Sequence, residues 1–230
     1  MALEWKEFGG AYFTRYILHH LIIKPRKDCV TISVGYGDND KYYVVYVRNG
    51  EVIREGFVDN ESGRCAIGLP LKPQSTKDLL RELERGEYPK ELKELCLTVL
   101  PLEELLRKLP EHVQDNIFGS EVQPIKVEWE EEIPRHYFAK IKPWTILVYD
   151  KDKNEVWICA LKEDSQWKES YELIVRNGVE IALESYSCNG KLYSPPQSLK
   201  RKITYALENL PERIREKVRI LLPNSEKQIN

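Results

Sequence analysis

Hydrophobic positions along this chain come in two textures, which alternate twice. Between residues 29 and 69, short β-branched and aromatic runs (29–34, 42–47, 51–58 and 64–69) are separated by Gly37-Asp38-Asn39-Asp40, Arg48-Asn49-Gly50 and Asn60-Glu61-Ser62-Gly63. Runs of this length bounded by turn-forming residues predict a meander of hairpins. Asn-Gly is the strongest of these signals, because both residues tolerate the positive φ of a type I′ turn. The texture then changes to helix formers over 76–85 and to an apolar stripe at Leu92, Leu95, Cys96 and Val99, which has helical spacing. Further on, runs at 156–161, 171–175, 179–186 and 191–193 repeat the meander, and 199–209 followed by Leu210, Ile214, Val218, Leu221 and Leu222 repeats the helices. One further strand, at 16–23 in the first block and 145–149 in the second, precedes each set.

The two blocks share residues as well as texture. Leu3-Glu4-Trp5 returns as Val127-Glu128-Trp129, Tyr12-Phe13 as Tyr137-Phe138, Val47-Arg48-Asn49-Gly50 as Val175-Arg176-Asn177-Gly178, Pro73-Gln74-Ser75 as Pro196-Gln197-Ser198, and Leu100-Pro101 as Leu222-Pro223. The offset is 124 from Trp5 to Trp129, 128 from Gly50 to Gly178 and 122 from Pro101 to Pro223, a drift that loop insertions produce. We read an internal duplication over 3–101 and 127–223. Ser75 and Ser198 are each expected to cap a helix N-terminus, and Pro101 and Pro223 to close each block. Between the blocks, Leu102, Leu105, Leu106, Leu109, Val113 and Ile117 predict one or two short helices interrupted at Pro110. Leu109-Pro110-Glu111-His112-Val113 also matches Leu210-Pro211-Glu212-Arg213-Ile214, which competes with the alignment of the second helices.

The expected fold is therefore α+β: two tandem, pseudo-symmetric repeats, each an antiparallel β-meander followed by two C-terminal helices. The expected domains are a first repeat at 1–101, a helical connector at 102–126 and a second repeat at 127–230.

Composition narrows the class without naming an activity. Apolar residues make up 42% and charged residues 31% of 230, and no apolar run approaches the roughly 20 residues that cross a bilayer. The first residues, Met1-Ala2-Leu3-Glu4-Trp5, lack the features of a signal peptide, so a cytoplasmic protein is expected. Five cysteines, odd in number and without a C-x-x-C pair, suit small apolar residues in a reducing compartment.

Candidate chemistry is sparse. His20 falls with Tyr12, Phe13, Tyr16 and Ile17 at helical spacing, where a hydrogen-bonded core histidine is the plain reading. No ligand set has metal spacing, so no metal or other cofactor is expected. Asp150-Lys151-Asp152-Lys153-Asn154 begins like a calcium loop, but Glu155 replaces its turn glycine and Leu161 its twelfth-position acid, which leaves a solvated hairpin. Gly35-Tyr36-Gly37 precedes a strand and is read as a turn, not a phosphate cradle. The candidates for general acid–base work are Glu128, Glu130 and His136, set against the plainer reading of an amphipathic strand with an acidic outer face.

Charge is uneven. Residues 78–132 hold fifteen acidic and seven basic residues, a balance of −8, while 191–227 hold nine basic and four acidic, a balance of +5. Lys200, Arg201, Lys202, Arg213, Arg215 and Arg219 are the candidate binding residues. The expected function is a non-catalytic binding or regulatory module acting on another protein, with homo-oligomerisation open. The alternatives are a nucleic-acid-binding protein using these basic helices and an enzyme acting on a nucleotide or nucleic acid between the repeats.

Overall fold

The computed structural model describes residues 4–37, 41–70, 74–85, 101–120, 127–163 and 166–222. Contacts divide the chain into two units, Met1–Glu121 and Val122–Asn230. Each carries a seven-stranded antiparallel sheet in which every strand pairs with its neighbour in sequence. The first sheet runs β1 (Lys6–Phe8), β2 (Ala11–Tyr16), β3 (His19–Pro25), β4 (Val30–Tyr36), β5 (Lys41–Arg48), β6 (Glu51–Asp59) and β7 (Arg64–Gly68). The second runs β8 (Glu130–Ile133), β9 (His136–Ile141), β10 (Trp144–Asp150), β11 (Glu155–Glu163), β12 (Lys168–Arg176), β13 (Glu180–Cys188) and β14 (Lys191–Tyr193). The fold is α+β with two similar halves.

The Asn-Gly turns form as their chemistry requires. Asn49-Gly50, Asn177-Gly178 and Asn189-Gly190 all have positive φ at both positions, the type I′ geometry whose twist matches the flanking strands. One strand was expected over 16–23, but a hairpin folds back there with Ile17 at φ 55. Each sheet thus has an extra hairpin at its start, β1–β2 and β8–β9. His19 and His20 are strand neighbours on opposite faces. His19 is buried edge-on to Tyr36 at 5.1 Å, and burial holds its pKa below the ordinary 6.5.

The first unit adds α1 (Thr76–Glu84), α2 (Leu102–Leu106) and α3 (Glu111–Phe118). α3 lies against β4 and β5, and α1 against β6. Leu80, Leu83, Leu102, Leu105, Leu109, Val113 and Ile117 are buried together with Leu21, Ile23, Val34 and Val45 of the sheet. Burying each such side chain contributes about 1.5–3 kcal/mol. The segment expected as a connector therefore packs within the first unit at 102–118, because its leucines face that core. Pro101 precedes α2 and opens it instead of closing the block. The stripe at Leu92, Leu95, Cys96 and Val99 lies outside the described residues, as does Pro223.

The second unit adds α4 (Gln197–Leu207), α5 (Glu212–Arg215) and a 3₁₀ turn, Glu216–Leu221. Leu199, Ile203, Leu207, Leu210, Ile214 and Val218 pack with Tyr137, Ile146, Ile158, Leu173 and Val175 of the sheet. Ser75 caps α1 as expected, accepting from Asp78 N at 3.1 Å. Ser198 does not cap α4. The helix begins at Gln197 behind Pro196, which puts Ser198 inside the first turn and buries it.

Two contacts recur. The Trp5 indole donates to the Leu105 carbonyl at 3.0 Å, and the Trp129 indole to the Ala206 carbonyl at 3.0 Å. The central Asn-Gly turn of each unit is seated on that unit's last helical segment. Gly50 N donates to Asn116 O at 3.1 Å, and Ile220 N donates to Gly178 O at 3.1 Å. A Cβ on Gly50 would stand 2.9 Å from Phe118 O, and one on Gly178 2.7 Å from Glu216 O, so close approach as well as positive φ requires glycine. These contacts match Pro110 with Pro211, the competing alignment, since Pro110 opens the helix that receives the first turn and Pro211 opens α5, which runs straight into the 3₁₀ turn that receives the second. Among the described residues no helix is long and apolar enough to cross a membrane.

Candidate functional site

The basic helices are largely tied to their own sheet. Lys200 Nζ lies 2.7 Å from Glu184 Oε1. Arg213 bonds the Tyr137 hydroxyl and lies 3.6 Å from Glu131, while Lys217 Nζ reaches Asp150 Oδ1 at 2.5 Å and Asp152 O at 2.8 Å. Arg201 and Lys202 sit on α4, each already engaged in a polar contact. Arg215 is half-buried, and exposed Arg219 runs along Gly178. Sequence counting found the charge but not its partners, because the partnering carboxylates lie strands away.

Glu128, Glu130 and His136 are all exposed and do not share one recess. The two glutamates line a recess of about 330 Å³ with Phe138, Ala139 and Lys140. His136 instead stacks on Tyr149, centroids 4.3 Å apart and planes at 15°, with Nδ1 3.2 Å from Pro134 O. The acidic run 130–132 makes up most of the edge strand β8. Among the described residues no three His, Cys, Asp or Glu side chains converge as metal ligands would.

The most distinctive surface escaped the sequence reading. One face of the second sheet packs on α4 and α5. On the other, strand register sets His136, Tyr149, Trp157, Ile174 and Leu183 side by side across five strands. A second row, two residues along, holds Phe138, Leu147, Cys159, Glu172 and Ser185, and Leu161 lies beyond it. Trp157 is 38% exposed, Leu147 39%, Leu183 41% and Leu161 43%. A signal was present in the sequence: 156–161 is apolar at every position, the mark of a strand apolar on both faces.

The aromatic residues of this face are held in place. Glu155 Oε1 accepts from the Trp157 indole at 2.5 Å and from Lys151 Nζ at 2.8 Å, while Oε2 accepts from Arg176 Nε at 2.9 Å. Bonding to Lys151, then to Trp157 and Arg176, brings the Glu155 carboxyl down to about 2. Lys151 Nζ also sits 4.7 Å over the Trp157 ring, and Tyr149 meets that ring edge-on at 6.5 Å. Burial pushes the Cys159 thiol up, and Glu172 adds to it, which disfavours a reactive thiolate. Such a strip, apolar, aromatic and edged by ion pairs, can adhere to a complementary surface without reorganising.

The inner faces hold polar groups of another kind. Tyr43 donates to Glu55 at 2.8 Å, and Tyr171 donates to Glu184 at 2.8 Å. Burial foremost, and then the carboxylate, raises both phenols well above their ordinary range. In the second unit Lys162 Nζ lies 2.6 Å from Glu169 Oε1, with side chains 3% and 0% exposed, and Tyr186 donates to the other Glu169 oxygen. This ion pair is sealed in the core.

No family model matches the chain, and no curated protein or solved structure matches it either.

Proposed function

We propose that this chain is a non-catalytic binding module that docks another protein on the open face of its second sheet. The observation that carries the reading is the His136–Tyr149–Trp157–Ile174–Leu183 row, apolar, two-fifths exposed at Trp157 and Leu183, and braced by Glu155. Interfaces concentrate their binding energy in rigid aromatic anchors of this type. Glu130 and Glu172 lie among the apolar positions, so the occupant is a protein segment with an apolar strip flanked by lysine or arginine.

The same reading takes the two halves as pseudo-symmetric copies of one unit closed by C-terminal helices. It sets the module in the cytoplasm, in keeping with the free thiols of Cys29, Cys65, Cys159 and Cys188. Nucleic-acid binding through the C-terminal helices is the weaker alternative, because Lys200, Arg213 and Lys217 are spent on internal carboxylates.

The test places a photo-crosslinking residue at Leu183 and, as control, at Arg201 in the full chain. The partner trapped from Leu183 is identified, purified and titrated. Its affinity should fall by about tenfold or more with Leu147→Asp or Leu183→Asp, since each removes an apolar anchor and buries a charge. Equal adducts from both positions, or an affinity indifferent to these changes, would refute the docking face.

A further inference from the structure

The first unit carries a pocket of different character, and it is independent of the docking face. Strand register places Arg15, His20, Gly35 and Tyr42 in one row across β2, β3, β4 and β5. Gly35 has a side-chain role by lacking one. A Cβ there would stand 2.7 Å from Tyr42 Cε1 and 2.9 Å from Cδ1, so the Tyr42 ring lies across the glycine toward His20. Phe13 and Ile22, paired one row along, complete an apolar floor. Arg15, His20, Tyr42, Phe13 and Ile22 line, with Lys6, a recess of about 380 Å³, within the roughly 300–1,000 Å³ of small-molecule sites.

The rim is cationic in a chain whose net charge is −2. Lys6 and Arg15 both line the pocket, and among the described residues Glu4 is the one carboxylate in its walls. Arg15 Nε donates to Ile17 O at 3.2 Å, and among the described residues the terminal nitrogens of its guanidinium are left for another acceptor. His20 Nε2 is buried and has no hydrogen-bond partner among the described residues. A flat apolar surface beside clustered cations selects a planar ring bearing an anion, and Glu4 adds an acceptor for a ring amino group.

We propose that this pocket binds a mononucleotide, its base against Tyr42, its phosphate at Arg15 and Lys6 and its amino group toward Glu4. Arginine is suited to the phosphate because its fork of donors meets two oxygens at once. The space holds one nucleotide, which distinguishes it from a groove that tracks a strand.

Calorimetric titration of the full chain tests this with AMP, GMP, CMP, UMP, adenosine, inorganic phosphate and a short oligoadenylate. At least one mononucleotide should bind with Kd below ~1 mM, at least about tenfold more tightly than adenosine or phosphate alone, because ring and phosphate contribute together. Arg15→Gln and Tyr42→Ala should each weaken it by about tenfold, at an unchanged melting temperature for the exposed Arg15. Gly35→Ala, which forces the Tyr42 ring out of position, should weaken it likewise. Failure of all four mononucleotides to bind in the millimolar range would overturn the proposal. So would affinity that survives Arg15→Gln in a folded protein, or tighter binding of oligoadenylate than of AMP.

Discussion

Removing Lys162 should reveal how much of the second unit rests on a buried charge. Lys162→Met leaves the Glu169 carboxylate, 0% exposed at its side chain, with the Tyr186 hydroxyl in place of a cation. Breaking a buried pair from one side costs about 3–5 kcal/mol, because the surviving charge keeps its desolvation penalty and loses its compensation. Total stabilities are about 5–15 kcal/mol, so this single change consumes a large share. Glu169→Leu should cost at least as much, since it strands both the Lys162 ammonium and the Tyr186 hydroxyl. The double variant removes both charges and takes from the Tyr186 hydroxyl only its bond to Glu169, at about 1–3 kcal/mol. It should therefore be more stable than either single variant, and adding Tyr186→Phe should recover most of the remainder. Urea unfolding followed by tryptophan fluorescence reads this directly, because four of the five tryptophans (Trp129, Trp144, Trp157 and Trp167) lie in the second unit. The midpoint should move at constant slope. Single variants costing under about 1 kcal/mol, or a double variant as costly as the sum of the singles, would show that the pair is solvated and the reasoning wrong.

Further expectations concern the turns, the anchors and pH. Gly178→Ala should destabilise more than Gly190→Ala, as both have positive φ but only Gly178 would drive a Cβ onto backbone, at Glu216 O; equal melting temperatures would count against that seating. Trp129→Phe should cost about 0.5–1.5 kcal/mol by removing one hydrogen bond at the Ala206 carbonyl, which still accepts from Asn209 N, and Trp5→Phe a similar amount at the Leu105 carbonyl, which still accepts from Lys108 N, both measurable by denaturant titration. Glu155 is held at about 2 against an ordinary 4.5, so its stabilisation is complete above 4.5 and drains away as pH falls toward 2 while the unfolded chain takes up the proton first. Glu155→Gln should flatten the stability profile over that window, and an unchanged acid limb would contradict the Lys151–Trp157–Arg176 clasp. Replacing Arg213 by Ala should lower the melting temperature by releasing Tyr137 and Glu131, while generic oligonucleotides gain or lose little affinity near physiological salt.

The meanders were legible in the sequence because a hairpin is a local event. Asn49-Gly50, Asn177-Gly178 and Asn189-Gly190 specify their turns within two residues, and β4, β5, β11 and β12 follow from the runs between turns. The first hairpins were harder to see. Gly9-Gly10 bends one through glycine, but Arg135 adopts φ 71 at the other without any sequence mark. Helix alignment failed for a different reason. Pro-Gln-Ser at Ser75 and at Ser198 is the same tripeptide in two settings, one a cap and one inside a turn, and the long-range contacts of Trp5, Trp129 and the two central turns set the correspondence. The site was least legible. Basic residues on helices look available until distant carboxylates claim them, and the row through Trp157 exists only once five strands are in register.

The indole bonds of Trp5 and Trp129 also say something about the order in which the chain takes shape. Each sheet grows by adding the next strand beside the last, so most pairings close short loops and need nothing that is not yet made. The tryptophan at the head of each unit reaches much further: its carbonyl lies 100 residues downstream in the first and 77 in the second. That bond can form only once the closing helix exists, so in chain order each sheet comes before the helix that its first tryptophan joins. A unit built this way completes itself from its own last residues, which is what allows a second copy to follow without waiting for the first to be rearranged.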